Sequence, residues 1–440
     1  MTLIDNTFRN ILQSLGITAL NEMQNQAIEA QQNNRDILLL SPTGSGKTLA
    51  FLLPLLERLS TDKKEIQALV LTPSRELALQ IESVFRSLKS LHRVVCCYGG
   101  HDIQVEERSL AYPPALLIGT PGRLLDHIDR KNIDLKEVHT IILDEFDKSL
   151  EFGFLEEMRE IFACLHGIQK RILTSATSAI EIPVFVGMES PHTINFLKET
   201  PSGKLEIKTV YSEETDKLTT LYQLLGELNG APTLIFCNYR EHAERISSYL
   251  REQEVESEFF HGGLEQTERE RVLCKFRNGS TAILISTDLA ARGLDIPEIQ
   301  YIIHYHLPET EEAFIHRNGR TARMKASGTA FILLEESETC PAYLPEIPEV
   351  FRLSGTNKIP PKPKWDTLYI GKGKKDKLSK MDIVGFLCQK GNLQKEEIGH
   401  IEVKDFHAFV AIKREKIRKT LALIRKEKIK NMKTKFAISF

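Results

Sequence analysis

The chain has a single tryptophan, few aromatics at 7% of residues, and no apolar run near the length a bilayer crossing needs. Its seven cysteines are scattered. Only Cys96 and Cys97 are adjacent and no CxxC pair exists, so neither a disulfide framework nor a zinc-ligand spacing can be read. The N-terminal MTLIDNTFRN lacks the basic-then-apolar pattern of a secretory leader, and a reducing cytoplasm is the expected compartment, with no membrane partner. The net charge of −2 is also small, but it conceals an asymmetry. From Asn357 onward there are 22 lysines and arginines against 9 acidic residues, a surplus of 13. The preceding 356 residues hold 36 against 51, a deficit of 15. A basic terminal segment on an acidic body is an electrostatic footprint for a polyanion.

At 440 residues the chain exceeds a single core. β-Branched apolar runs alternate with helical-period stretches through roughly the first 340 residues, which predicts α/β domains with parallel sheets. In the first half the expected strands are 37–40, 68–71, 93–98, 115–119, 140–143 and 171–174. The turn-rich segment from Lys198 to Gly203 breaks the pattern, and it resumes at 233–237, 258–260, 282–286, 301–304 and 329–334. The expected division is a first domain over 1–200, a second over 205–355, a proline- and lysine-rich linker over 356–365, and a small module over 366–440.

Ser41-Pro42-Thr43-Gly44-Ser45-Gly46-Lys47-Thr48 follows the buried-strand run Ile37 to Leu40 and precedes a helix-forming stretch. Strand, glycine-rich turn and helix are the context of a phosphate-binding loop. Its backbone amides surround phosphate, Lys47 adds charge and the Thr48 hydroxyl helps hold Mg²⁺. Downstream, Ile141-Ile142-Leu143 ends in Asp144-Glu145-Phe146-Asp147. Asp144 is placed to bind Mg²⁺, and Glu145 to orient and deprotonate the attacking water. ATP and Mg²⁺ are the expected ligands.

Taken together these residues resemble the DEAD-box ATP-dependent RNA helicases, over residues 8 to 335. The further motifs are TPSRELA (Thr72 to Ala78), Gly99-Gly100, TPGR (Thr120 to Arg123) and Ser175-Ala176-Thr177, then LIFCN, HGG (His261 to Gly263), STDLAARGLD (Ser286 to Asp295) and HRNGRTAR (His316 to Arg323). The resemblance implies two RecA-like domains and an RNA-dependent ATPase that unwinds short RNA duplexes. It implies that Arg75, Gly99, Gly100, Thr120, Gly122 and Arg123 grip the RNA sugar-phosphate backbone, with Gly262 and Thr287 as the second domain's grip. Arg320 and Arg323 resemble arginine fingers acting at the γ-phosphate, and Asp295 the carboxylate on the ribose. His316, Asp147 and the hydroxyls of Ser175 to Thr177 resemble the link between hydrolysis and closure, and Gln24 the reader of the adenine edge. The chain departs from the pattern at several places. Leu20 and Asn21 replace a proline and a threonine, no residue sits where the upstream aromatic is expected, and Phe8 reads as core. Ser41, Asn318, Ala322 and the third residue of DEFD also differ.

The terminal module reads strand, helix, strand, strand, helix, strand, the order of an RRM, a small α+β fold. Alternation puts Tyr369, His407 and Phe409 on one face, where Tyr369 and Phe409 are candidate base-stacking residues. The GKKDKL and IGHI patterns resemble the RNA-binding domain of the bacterial DbpA group. That likeness implies large-subunit ribosomal RNA as partner, ribosome assembly as context, and Lys372, Lys374, Lys375 and Lys377 as contacts. The chain ends at the final strand without a long basic tail, which favours this group over cold-shock helicases acting on mRNA. A monomer is expected. Two other readings are a processive DNA helicase, which the Gln24 motif and DEFD oppose, and an ATP-gated RNA clamp with incidental unwinding.

Overall fold

The computed structural model describes residues 8–42, 44–177, 181–197, 205–213, 216–288, 299–321, 328–344, 346–355 and 358–439. Thr43, Asp295, Ala322, Arg323 and the break from Lys198 to Gly203 lie outside them. The chain divides into two compact units, one around the first parallel sheet, the other around the second sheet and the C-terminal module.

In the first unit the strands are β1 (Asp36–Leu40), β2 (Ala68–Leu71), β3 (Val94–Cys97), β4 (Leu116–Gly119), β5 (Thr140–Leu143), β6 (Lys170–Ser175) and β7 (His192–Asn195). They form a seven-stranded sheet in the order β3-β4-β2-β5-β6-β1-β7, with parallel neighbours throughout. The central strands are apolar at nearly every position because helices cover both faces. Period-two alternation then sorts them: Val70, Ile118 and Ile142 enter one core with Phe51 and Phe85, while Leu69, Leu117 and Ile141 enter the opposite one with Phe146 and Met158. Phe8 belongs to the first of these cores.

The second unit contains β8 (Leu205–Ser212), β9 (Thr233–Phe236), β10 (Glu258–Phe260), β11 (Ile283–Ser286), β12 (Tyr301–His304) and β13 (Gly328–Glu335), in the parallel order β10-β11-β9-β12-β13-β8. Two strands here were not expected from sequence, β7 and β8. Each ends the strand order of its sheet, with only a single bridge from Thr209 to Val350 beyond β8, so polar and charged residues are tolerated along it.

The C-terminal module has β14 (Trp365–Ile370), β15 (Ile398–Val403), β16 (Ala408–Lys413), the small hairpin β17 (Lys428–Ile429) and β18 (Met432–Lys433), and β19 (Phe436–Ile438). Its antiparallel sheet runs β15-β16-β14-β19, with helices Lys380–Gln389 and Arg414–Ile424 packed on it. The last helix stops at Ile424, and the β17–β18 hairpin follows from Lys428. The proline- and lysine-rich linker is laid against the second sheet's domain. A Cβ on Gly226 would come within 2.3 Å of the Lys358 carbonyl, and one on Gly230 within 3.1 Å of the Pro361 carbonyl. Pro360 is buried there.

Candidate nucleotide and nucleic-acid sites

Strands β5, β6 and β1 are consecutive in the first sheet, with Leu143 opposite Leu173 and Leu40 opposite Ser175. Their C-terminal ends therefore bring DEFD, Ser175 to Thr177 and the phosphate-binding loop to one part of the sheet edge. Gly44 and Gly46 take φ of +83° and +91°, the left-handed region glycine adopts without cost. A Cβ on Gly46 would lie 2.4 Å from Gln24 Nε2. Helix Lys47–Arg58 starts immediately after, aiming its amides and positive dipole end at the loop. Lys47 is buried, and its ammonium donates to the Ser41 and Pro42 carbonyls at 2.5 and 2.9 Å.

The Gln24 carboxamide is engaged at both ends. Its Nε2 donates to the Gly46 carbonyl at 3.2 Å, and its Oε1 accepts the Asn21 N–H at 3.0 Å. Asn21 in turn caps helix Glu22–Asn33 and donates to the Ser45 carbonyl at 2.9 Å. In this arrangement Gln24 braces the loop rather than presenting a free amide. Asn21 Oδ1 accepts the Gln24 N–H at 2.8 Å and completes a capping box, a role to which threonine is also suited.

Asp144 is buried, and its Oδ1 accepts the Thr174 hydroxyl proton. Burial pushes its carboxyl up, opposed by that hydrogen bond and by the Lys47 charge. Glu145 follows with φ of +47°, a strained conformation for a residue with a side chain, and its N–H donates to Thr174 Oγ1 at 3.2 Å. Ser175 Oγ accepts the Thr177 N–H at 2.9 Å, closing a local turn. Thr48 sits in the first turn of its helix.

The other half of the same edge is made by β2, β4 and β3. After β2, Thr72 Oγ1 donates to the Ser74 carbonyl at 3.0 Å and Ser74 caps helix Arg75–Ser87. After β3 comes Gly99-Gly100. Gly100 has φ of +98°, and a Cβ there would fall 2.2 Å from Arg75 Nη1, so the guanidinium lies against bare backbone. After β4, the Thr120 N–H donates to the Cys97 carbonyl at 3.1 Å and helix Pro121–Asp129 begins. Gly122 is exposed with open space around it. Arg123 donates to the His101 carbonyl at 3.0 Å. The structure thus gathers Arg75, Gly99, Gly100, Thr120 and Arg123 in one region.

In the second unit, Gly262 is exposed after β10, beside His261, whose Nε2 lies 3.0 Å from Glu244 Oε1. Thr287 is buried at the end of β11. His316 and Arg320 are buried at the end of helix Glu311–Asn318 and just beyond it. Between them sits a residue without an assigned role in the sequence reading, Arg317. It donates to both Asp288 oxygens at 2.5 and 2.7 Å, to Asn238 Oδ1 at 2.9 Å and to the His306 carbonyl at 2.5 Å. That fork ties together the ends of β9, β11 and β12. Asn318 also finds its explanation: its Oδ1 lies 3.0 Å from Nε2 of buried His304. Burial and the Arg317 charge lower the His304 pKa to about 3, so the imidazole is neutral.

The C-terminal module presents Tyr369, His407 and Phe409 on one sheet face, with ring centroids 5.0 to 5.8 Å apart. Phe409, however, is only 3% exposed. That face is covered by helix Gln266–Arg277 and the turn after it: His407 Nε2 lies 3.5 Å from Glu270, and Arg277 donates to Glu402 at 2.7 and 2.9 Å. Asn278 donates to Thr367 Oγ1 at 2.9 Å, which donates to Ser280 Oγ at 2.8 Å. Arg414 adds a two-pronged contact to Glu256 at 2.6 and 2.7 Å. At Phe409 the expected stacking platform is therefore occupied by the chain itself, while Tyr369 is half-buried. Lys374, Lys375 and Lys377 are exposed, while Lys372 pairs with Asp376 at 2.7 Å.

Comparison with known proteins accords with this geometry. Residues 21–183 match the DEAD/DEAH box helicase family, 216–325 the helicase conserved C-terminal domain and 367–437 the DbpA RNA binding domain. The ATP-dependent RNA helicase DbpA of Escherichia coli is 30% identical over 95% of this chain and 94% of its own. The CshA helicase of Limosilactobacillus reuteri is 34% identical over 77% of this chain and 69% of its own. Among solved structures, S. cerevisiae Dbp5 bound to RNA and ADP BeF3 aligns with a TM-score of 0.67 at 25% identity, covering 75% of this chain and 87% of that one. Mss116p bound to ssRNA and AMP-PNP aligns at 0.69 and 22% identity, over 80% and 78%. The two parallel-sheet domains are RecA-like, and the chain belongs to the DEAD-box ATP-dependent RNA helicases.

Proposed function

We propose that this helicase opens short RNA duplexes on large-subunit ribosomal RNA during ribosome assembly, as a cytoplasmic monomer using ATP and Mg²⁺. Lys47 and the loop amides hold the phosphates, and Glu145 takes the proton of the attacking water. Arg320 and Arg323 offset charge developing on the transferred phosphoryl group. Asp144 and the Thr48 hydroxyl are hard oxygen donors suited to Mg²⁺, and Asp144 already lies within the field of Lys47. When bound, the metal neutralises charge on the β- and γ-phosphates. Arg75, Gly99, Gly100, Thr120, Gly122 and Arg123 touch RNA backbone, a contact that carries no base information.

Selection of the RNA then falls to the C-terminal module. The observation supporting structured RNA as its target is the pairing of a covered sheet face with an exposed run of lysines. A buried Phe409 is closed to single-stranded bases, whereas Lys374, Lys375 and Lys377 are open to phosphates of a folded hairpin. The test is ATPase stimulation of the full chain by large-subunit ribosomal RNA fragments and by random RNA of equal length. The expected result is a marked preference for the ribosomal fragments that disappears in the Lys374→Glu, Lys375→Glu, Lys377→Glu triple variant. Retained preference in that variant would place selectivity elsewhere.

A further inference from the structure

Glu106 belongs to none of the recognised motifs, yet it is 3% exposed where the Gly99-Gly100 loop meets the helix after Thr120. Its Oε1 accepts the Tyr98 N–H at 2.8 Å and lies 3.0 Å from His101 Nε2, the residues on either side of Gly99-Gly100. Its Oε2 accepts from Arg123 Nη1 at 3.2 Å and lies 2.7 Å from Nε2 of buried His127, both on the helix after Thr120. His127 Nδ1 is in turn 3.1 Å from the Asn132 amide. Burial would raise the Glu106 carboxyl, but the two histidines, the Tyr98 amide and the Arg123 charge outweigh it and hold the group at about 2. It is therefore a carboxylate with donors on both oxygens.

Cys97 joins Glu106 and His127 to give residue types found in metal centres. The chemistry argues otherwise. Both carboxylate oxygens already accept hydrogen bonds, a guanidinium stands 3.2 Å away, and burial together with Glu106 itself pushes the Cys97 thiol far from its thiolate form.

We infer that Glu106 is a positioning residue for RNA binding: one oxygen holds the Gly99-Gly100 loop, the other holds Arg123, and the carboxylate fixes the spacing between these two phosphate grips. The inference rests on the RNA reading of those residues. Misplacing such contacts by about 1 Å costs on the order of 10²-fold in a positioned system. Without Glu106 the loop and Arg123 are each still present but no longer held at a common distance.

The experiment uses the full chain with Glu106→Ala and Glu106→Gln, an oligouridylate as RNA, and ATPase as readout. The RNA concentration for half-maximal stimulation should rise about tenfold or more in Glu106→Ala and less in Glu106→Gln, which keeps the shape. Turnover at saturating RNA and affinity for a fluorescent ATP analogue should stay within about twofold, a split that general loss of structure would not give. Should Glu106→Ala fail to fold, His101→Asn removes one of the two loop-side partners, leaving the Tyr98 N–H, and should weaken RNA binding several-fold. Unchanged half-saturation in the folded variants would overturn the inference. So would a thiolate charge-transfer band on cobalt(II) titration that is present in the unmutated chain and lost in both Cys97→Ser and Glu106→Gln, which would make Glu106 a metal ligand. An intact protein without RNA-stimulated ATPase would instead sink the functional reading beneath it.

Discussion

Glu145 holds a left-handed backbone between a buried strand and a helix, and Thr174 ties both its amide and its neighbour Asp144. Glu145→Gln keeps that geometry and removes only the carboxylate that the proposed function makes the base. ATP binding should therefore survive while hydrolysis falls by at least about 10²-fold, measured in single-turnover assays. Arg320→Ala should slow RNA-stimulated turnover by about 10³-fold with little change in nucleotide affinity, because the charge it meets develops only in the transition state. Asn318→Leu restores an aliphatic residue but strips the partner from buried His304, and should cost about 1–3 kcal/mol in denaturant unfolding. The motif residues were legible because their spacing encodes strand, turn and helix. Glu106, Arg317 and the bracing role of Gln24 were not, since each depends on partners far away in sequence. Phe409 was placed on the right face by alternation, but alternation says nothing of what covers that face.

At the scale of elements, the interior strands announced themselves as apolar runs buried on both faces, whereas β7 and β8 hid because edge strands need no such composition. The docking of the module was likewise hidden, built as it is from charged and polar residues that also suit a surface. Its chemistry predicts acid sensitivity. Burial raises the Glu402 carboxyl, but Lys404 and Arg277 outweigh this and lower it from 4.5 to about 2. A depressed folded-state value means the stabilisation is complete above pH 4.5 and drains away as pH falls toward 2. Trp365, the single tryptophan, sits in this interface, where a Cβ on Gly279 would approach its ring to 3.4 Å. Tryptophan emission should therefore shift to the red over that pH window, and Arg277→Ala should produce the shift at neutral pH. Emission unaltered in both cases would contradict the docked arrangement.

For the whole molecule, the first sheet's C-terminal edge gathers the phosphate-binding loop and DEFD at β1, β6 and β5, and Arg75, Gly99, Gly100, Thr120 and Arg123 at β2, β3 and β4; the proposed function divides it between nucleotide chemistry and RNA-backbone contact. The charge imbalance read from sequence marks the module that the proposed function makes the RNA anchor, but it gave no sign that helix Gln266–Arg277 would lie against the module's sheet. On this account the core supplies sequence-blind unwinding and the lysine-bearing loop supplies the address. The most direct measurement is strand displacement, with ATP and Mg²⁺, of a short duplex joined to a large-subunit ribosomal RNA hairpin, compared with the same duplex joined to an unrelated hairpin. At subsaturating protein the intact chain should displace the ribosomal substrate about tenfold faster or more, and the Lys374, Lys375, Lys377 charge-reversal variant should displace both at one slow rate. Equal rates for the intact chain, or ATP-dependent binding without displacement, would contradict the account.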